Sequence, residues 1–490
     1  MRVTRLSTPA STLRRQLVGM CGIPLRHMHS SARMRNINNP CEIPAEWLGR
    51  IMADNTTPPK LYAWTPKDLS AKGRTKPESG QDSRTGMEPN KRNEEERRRI
   101  YILGVGNIGR LYAMCLSKLA HSPPITLVVH RKELLERWAA EPGIELTRHG
   151  RVQRNVDFDV EWWTDMAPDG NDGAEVAAGG NIGNLIVATK ASDAIPQVDR
   201  VRRYLGGNST VAFVQNGMCK LWPPLGDVYV GARFADGNSP NWIACVTTHG
   251  VTSQGPFKSI HAAPANALVG PVMSGRGSDT GAGYLMRLIA KAPDLDAQEV
   301  SRKQLWVSQL EKLVVNAVIN PLTAVLRCKN GEIFIARDDA IPDIINRLLS
   351  EASETLGALV LSSRSEGLLL SESACKGTIP ENLTAEFLRA TREQLLGRFS
   401  FPRLRGLVLD VGVKVSANTS SMLQDLQAGK PTEVDDFNGW LVDTARLLDK
   451  GLQLPTHEKL IGLVKAKAKL TRNELCAEIL SREALLNADS

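Results

Sequence analysis

The chain has 490 residues, 42% hydrophobic and 23% charged, with a formal net charge of +8. That is the composition of a globular protein long enough for two or three domains, each burying its own core, and no run approaches the roughly 18 apolar residues a membrane-spanning helix needs. Most of the excess charge lies in the first forty residues, so no nucleic-acid-binding face on a folded domain is expected; the scattered cysteines, without a C-x-x-C pair, point to neither a metal site nor a disulfide framework.

Residues 1–35 hold Arg2, Arg5, Arg14, Arg15, Arg26, Arg33 and Arg35 among Ser and Thr, and no acid. This is the composition of a mitochondrial transit peptide, with import into the matrix expected and a cytoplasmic protein with a basic tail as the alternative. Residues 36–98 read as a mostly disordered linker: 36–64 carries Trp47, Tyr62 and Trp64, aromatic residues suited to docking on a folded body, whereas 66–98 has almost no large apolar residue. Folded structure is expected from Arg99. An apolar strand at 100–103 runs into glycine, a helical pattern follows (Ile108, Leu111, Tyr112, Cys115, Leu116, Leu119), and 125–129 is a second strand, which makes one βαβ unit. Further strands are predicted at 185–189, 210–214, 242–248, 258–262 and 267–269. The pattern loosens between about 274 and 300, and helical spacing then dominates 301–326, 341–364, 383–396, 407–415, 433–450 and 453–468. The fold class is therefore α/β followed by all-α: a Rossmann-type domain over 99–297 and a helical domain over 298–490.

Gly104, Val105, Gly106, Asn107, Ile108 and Gly109 form G-x-G-x-x-G directly after a strand and at the start of a helix, the context in which this motif binds a dinucleotide. Gly104 permits the tight turn, Gly106 lets the backbone approach a pyrophosphate at the helix N-terminus, and Gly109 lets the helix pack close to the strand. The second strand ends in Val129-His130-Arg131-Lys132. No carboxylate stands there for a ribose 2′-hydroxyl, and the cations suit a 2′-phosphate, which favours NADP(H) with Arg131 as its reader and Lys132 as helper. The alternative is that Arg131 is a solvated residue at a helix start.

Lys312, Asn316 and Asn320 are spaced i, i+4, i+8 and form one polar line on a helix whose other faces carry Val314, Val315, Val318 and Ile319. Such a line suggests a wall that binds a carboxylate and a ketone, or an interdomain hydrogen-bond network without catalysis. His249, in Thr-Thr-His-Gly without a spaced carboxylate, reads as structural.

Several motifs occur in order over about 99–470. After the glycine loop come Val187-Ala188-Thr189-Lys190-Ala191, Gln215-Asn216-Gly217-Met218 and Thr247-Thr248-His249-Gly250. The run from Glu311-Lys312 to Asn320-Pro321-Leu322-Thr323 follows, then Asn330-Gly331-Glu332 and Thr419-Ser420-Ser421-Met422-Leu423-Gln424-Asp425, and finally Thr432-Glu433-Val434-Asp435 with Asn438-Gly439. In these the chain resembles the ketopantoate reductase (2-dehydropantoate 2-reductase) family. The resemblance implies a Rossmann domain followed by a helical domain of the 6-phosphogluconate-dehydrogenase-like arrangement. It implies NADPH-dependent reduction of 2-dehydropantoate to (R)-pantoate, a step of pantothenate and coenzyme A synthesis. It also implies roles: Lys312 as proton donor to the ketone, Asn316 and Asn320 as substrate-orienting amides, Ser421 on the substrate carboxylate and Glu433 on its terminal hydroxyl. Lys190 and Asn216 would meet the cofactor and the nicotinamide–substrate junction.

The chain departs from the family pattern in three places. Cys219 follows Met218 where the family usually has glycine, and would be strained if that position needs positive φ. Segments near 151–183, 220–240 and 364–382 are longer than a minimal member needs, and nearly a hundred residues precede the family region. These features keep two other readings open: a reductase of another small 2-oxo acid, or a non-catalytic mitochondrial RNA or translation factor on the same scaffold. The pattern is compatible with a homodimer.

Overall fold

A computed structural model describes residues 46–69, 89–168, 173–223, 225–275, 280–371, 381–449 and 451–480; the expected transit peptide lies outside them. Thirteen strands occur among the described residues: β1 (Tyr62–Trp64), β2 (Ile100–Leu103), β3 (Ile125–Val129), β4 (Ile144–Arg148), β5 (Arg151–Asn155), β6 (Asp159–Thr164), β7 (Asn184–Val187), β8 (Thr210–Phe213), β9 (Asn241–Thr247), β10 (Gly250–Gly255), β11 (Lys258–Ala263), β12 (Ala267–Met273) and β13 (Ala297–Glu299).

Nine strands form the main sheet in the order β1-β6-β3-β2-β7-β8-β9-β12-β13. From β6 to β9 neighbouring strands are parallel. Strands β2, β3, β7 and β8 are buried along their whole length, and so read as continuous apolar runs rather than alternating ones. The strand order reverses between β2 and β7, which opens a crevice at their carboxyl ends. The hairpins β4–β5 and β10–β11 join into a separate four-stranded sheet, with β11 parallel to β4. Sequence periodicity missed β5 because it is largely exposed on both faces. The helix Thr280–Lys291 fills the stretch where the sequence pattern loosens.

Of the expected linker, residues 46–69 and 89–98 are ordered rather than disordered, and 36–45 and 70–88 lie outside the described residues. The helix Glu46–Ala53 docks on the helix Leu225–Arg233, within the long 220–240 segment, and the Arg233 guanidinium donates to the Ile51 and Asp54 carbonyls at 2.7 Å each. Strand β1 pairs with β6, and the helix Pro89–Arg98 leads into β2. Their anchors are few but specific: Leu48 and Leu61 are fully buried, and the Tyr204 hydroxyl accepts from the Leu61 N–H at 2.8 Å.

The helical part starts at Arg302–Leu326, opened by a capping box in which Ser301 and Gln304 bond each other's backbone N–H groups. Around it pack Ile341–Leu361, Phe401–Lys414, Ser421–Gln427 and Pro455–Lys465. Among the described residues no helix is long and apolar enough to cross a membrane, and no cluster of metal-ligating side chains occurs.

Candidate active site

The glycine loop leaves β2 and enters the helix Asn107–Leu116. Gly104 has φ +98°, and a Cβ there would stand 2.9 Å from the Ala188 carbonyl carbon at the end of β7; a Cβ on Gly109 would collide with the Gly104 carbonyl oxygen. Both positions therefore require glycine for the protein's own packing. Gly106 differs. It is exposed, its φ is an ordinary −74°, and a Cβ would meet nothing within 4 Å. Nothing in the protein forbids a side chain there, so what glycine leaves clear is the open surface before the helix N-terminus, the space a pyrophosphate would take. Val105 and Ile108 pack against the core. The Asn107 side chain donates to the Val251 carbonyl at 3.2 Å and accepts from Ser259 and Arg110.

Arg110, not singled out from the sequence, is buried under this loop. Its guanidinium donates to the carbonyls of Gly106, Gly255 and Lys258, to Asn107 Oδ1 and to Ser253 Oγ, and burial lowers its pKa to about 10. It ties the loop to the β10–β11 turn. The only sequence signal was an arginine on the otherwise apolar inner face of that helix. After β3, Arg131 is exposed in extended conformation at the N-terminal boundary of the helix Lys132–Ala140, and its side chain makes no capping bond to that helix.

The second half of the site is assembled from four places. Lys312 projects from the third turn of Arg302–Leu326, and its Nζ donates to Asn216 Oδ1 at 2.9 Å and to the Thr247 carbonyl at 2.5 Å. Asn216 follows β8 and Thr247 ends β9, so the lysine is held by the sheet's carboxyl edge. Burial lowers the Lys312 pKa to about 8, with Glu433 pulling the other way. Glu433 is buried, and burial raises its pKa against the pull of Lys190, 3.9 Å away. Lys190, at the start of Ala191–Arg200, donates to Asp425 at 2.6 Å. Burial works against its charge, but Glu433 and Asp425 outweigh that and raise its pKa. Asp425 was quoted in a motif without a role; here it links the sheet edge to the helical part, as does Lys220 with Asp436 at 3.5 Å.

The structure thus brings Lys312, Asn216, Glu433 and Lys190 together. Asn316, half-buried, and Asn320, buried, follow on the same helix face. Ser421 is exposed at the start of Ser421–Gln427; the buried neighbour Ser420 caps that helix and accepts from Thr323. His249 is structural: Nε2 bonds the Leu295 carbonyl at 2.9 Å, while Nδ1 takes the Ala265 N–H and faces His261 Nε2. Cys219 carries no strain, because the positive φ of that turn falls on Gly217 at +82°; burial pushes the Cys219 thiol up to about 12.

One packing detail explains two motifs at once. Pro321 lacks the N–H that would bond the Ala317 carbonyl one turn earlier. That carbonyl instead accepts from Asn438 Nδ2 at 2.9 Å, out of a π-helical turn at Asp435–Gly439. The Asn-Pro and Asn-Gly motifs are therefore two sides of one contact, and it sets the turn that follows Glu433.

Comparison with known proteins agrees with this geometry. The family model described as "Ketopantoate reductase PanE/ApbA" matches residues 100–274, and its C-terminal counterpart matches 304–468. The chain is 40% identical over 450 residues to a ketoisovalerate reductase of Gibberella fujikuroi, covering 89% of this chain and 98% of the relative. It is 25% identical over 377 residues to the 2-dehydropantoate 2-reductase of Salmonella typhimurium, covering 75% and 95%. The crystal structure of a PanE/ApbA family ketopantoate reductase from Ralstonia eutropha superposes with a TM-score of 0.50 at 18% identity, over 75% of this chain and 98% of that one, and shares the fold. On the matches to both family models and the extent of the Gibberella match, this chain belongs to the ketopantoate reductase family.

Proposed function

We propose that the protein is an NADPH-dependent reductase of a short, branched 2-oxo acid, with 3-methyl-2-oxobutanoate (2-ketoisovalerate) as its substrate. The observation that carries the reaction type is Lys312, a buried ammonium with a lowered pKa, aimed by Asn216 and Thr247 at the junction of the sheet edge and the helical part. Gly104, Gly106 and Gly109 form the cradle for a dinucleotide, and Arg131 with Lys132 suit a 2′-phosphate. When bound, the nicotinamide supplies the hydride that reaches the carbonyl carbon. Lys312 gives its proton to the carbonyl oxygen, so the ketone becomes a 2-hydroxy acid. Asn316 and Asn320 orient the acid from the same helix face, and Ser421 offers its hydroxyl to the carboxylate. The arginine-rich leader supports a mitochondrial location.

The choice of acid rests on the 40% identity to a ketoisovalerate reductase, against 25% to a 2-dehydropantoate 2-reductase. A second reading, 2-dehydropantoate, is favoured by Glu433, a buried carboxylate able to accept from a terminal hydroxyl. Steady-state reduction by the full chain with NADPH separates them. The expected outcome is kcat/KM for 3-methyl-2-oxobutanoate about tenfold or more above that for 2-dehydropantoate. The reverse preference, lost on Glu433→Gln for the hydroxylated acid alone, would establish the second reading instead.

A further inference from the structure

Strand β1 lies outside the residues matched by the family models, yet it completes the edge of the sheet on β6, the strand that separates it from β3 and the Arg131 that follows β3. The Gibberella match covers 89% of this chain, an extent that necessarily takes in part of the sequence before Ile100. In register, Trp64 lies opposite Trp162, and Trp162 lies opposite Val129, so the three form one row across β1, β6 and β3. The row sits immediately before His130-Arg131-Lys132.

Trp64 is held there by two contacts of its own and by the docking of the helix that follows it. Its Nε1 donates to the Met166 carbonyl at 2.8 Å. Its ring tilts against Trp162 at a centroid distance of 5.6 Å, and the following helix, Pro66–Leu69, packs on Lys132–Ala140. The Lys132 Nζ stands 5.8 Å from the centroid of the Trp64 ring. Its ion-pair partner, Glu136, is 3.8 Å away in an exposed i, i+4 pair that holds the lysine weakly. An ammonium over an indole face is attracted by the ring's quadrupole and loses part of its rotamer freedom.

We infer that Trp64 is a positioning residue for cofactor choice: the segment ahead of the Rossmann domain lends an aromatic face that holds Lys132 at the adenosine end of the site, where it reads a ribose 2′-phosphate. This rests on the NADPH reading above. It assigns a function to the extension that the family region does not contain.

The test is binding, not turnover: calorimetric titration of the full chain with NADPH and with NADH. A wild-type preference for NADPH tests the cofactor reading itself; equal affinities would remove that reading and this inference together. Given the preference, Trp64→Ala should weaken NADPH about 3- to 5-fold and change NADH by less than about twofold. Trp64→Phe, which keeps an aromatic face, should restore most of the loss. In a Lys132→Ala background, Trp64→Ala should cost nothing further, because the contact is already gone. Equal weakening of both dinucleotides would make Trp64 a packing residue only. That result, unchanged NADPH affinity in Trp64→Ala, or full additivity with Lys132→Ala, would overturn the inference while leaving the cofactor reading intact.

Discussion

Lys312 shows how few atoms set the chemistry. Its ammonium is enclosed by the Asn216 amide oxygen and the Thr247 carbonyl, both neutral acceptors, so desolvation outweighs the attraction of Glu433 and the pKa falls from 10.5 to about 8. A general acid must carry its proton when the carbonyl oxygen takes it up. The rate of 2-oxo acid reduction is therefore expected to hold below this pKa and to fall as pH rises through about 8, rather than through the 10.5 of an ordinary lysine. The pH profile of kcat checks this; a flat profile across that range would dissociate Lys312 from the proton transfer. The glycines provide a second contrast. Gly109→Ala places a methyl group on the Gly104 carbonyl and should cost about 1–3 kcal/mol of stability. Gly106→Ala adds its methyl to open space at an ordinary φ, so thermal unfolding should be nearly unchanged while dinucleotide affinity, read by titration, drops about tenfold or more.

At the scale of elements, the polar line on Arg302–Leu326 was legible because helical spacing alone puts Lys312, Asn316 and Asn320 on one face. What holds that line against its neighbours was not. The Ala317 carbonyl, orphaned by Pro321, finds Asn438, and Asn438 in turn faces His457 Nδ1 at 2.9 Å while His457 Nε2 bonds the Leu348 carbonyl. Burial lowers the His457 pKa to about 4, which keeps the ring neutral as this chain of bonds requires. Asn438→Ala would strand a buried carbonyl and a buried imidazole nitrogen, and denaturant unfolding should report a loss of about 1–3 kcal/mol; no loss would mean that water replaces the amide. Such partners come from distant sequence, which is also why the contacts of Arg110, Asp425 and Lys220 were not legible even where the residue itself stood out. The core strands were legible because burial on both faces makes them continuous apolar runs, whereas β4, β5 and β10 carry polar residues on their outer faces and offer no such run.

For the whole molecule, the sheet's carboxyl edge and the helical part meet through Lys312 with Asn216, Lys190 with Asp425, and Lys220 with Asp436. The glycine loop lies on the sheet side of this seam and Asn316 and Asn320 on the helical side, so that in the proposed reaction a 2-oxo acid would lie between the dinucleotide and Lys312. The order of α/β and helical parts was readable from changing periodicity; the segment ahead of Arg99 was readable only in its docking aromatics, Trp64 among them, because its other anchors, such as Leu48 and Leu61, are single residues without a periodic pattern. The central claim is that Lys312 protonates a 2-oxo acid reduced by NADPH. The most direct measurement is NADPH consumption by the full chain with 3-methyl-2-oxobutanoate, wild type beside Lys312→Ala. Turnover in the wild type, reduced about 100-fold or more in the variant with NADPH affinity retained, is the predicted result. Turnover of no 2-oxo acid by the wild type, or equal turnover by the two proteins, would contradict it.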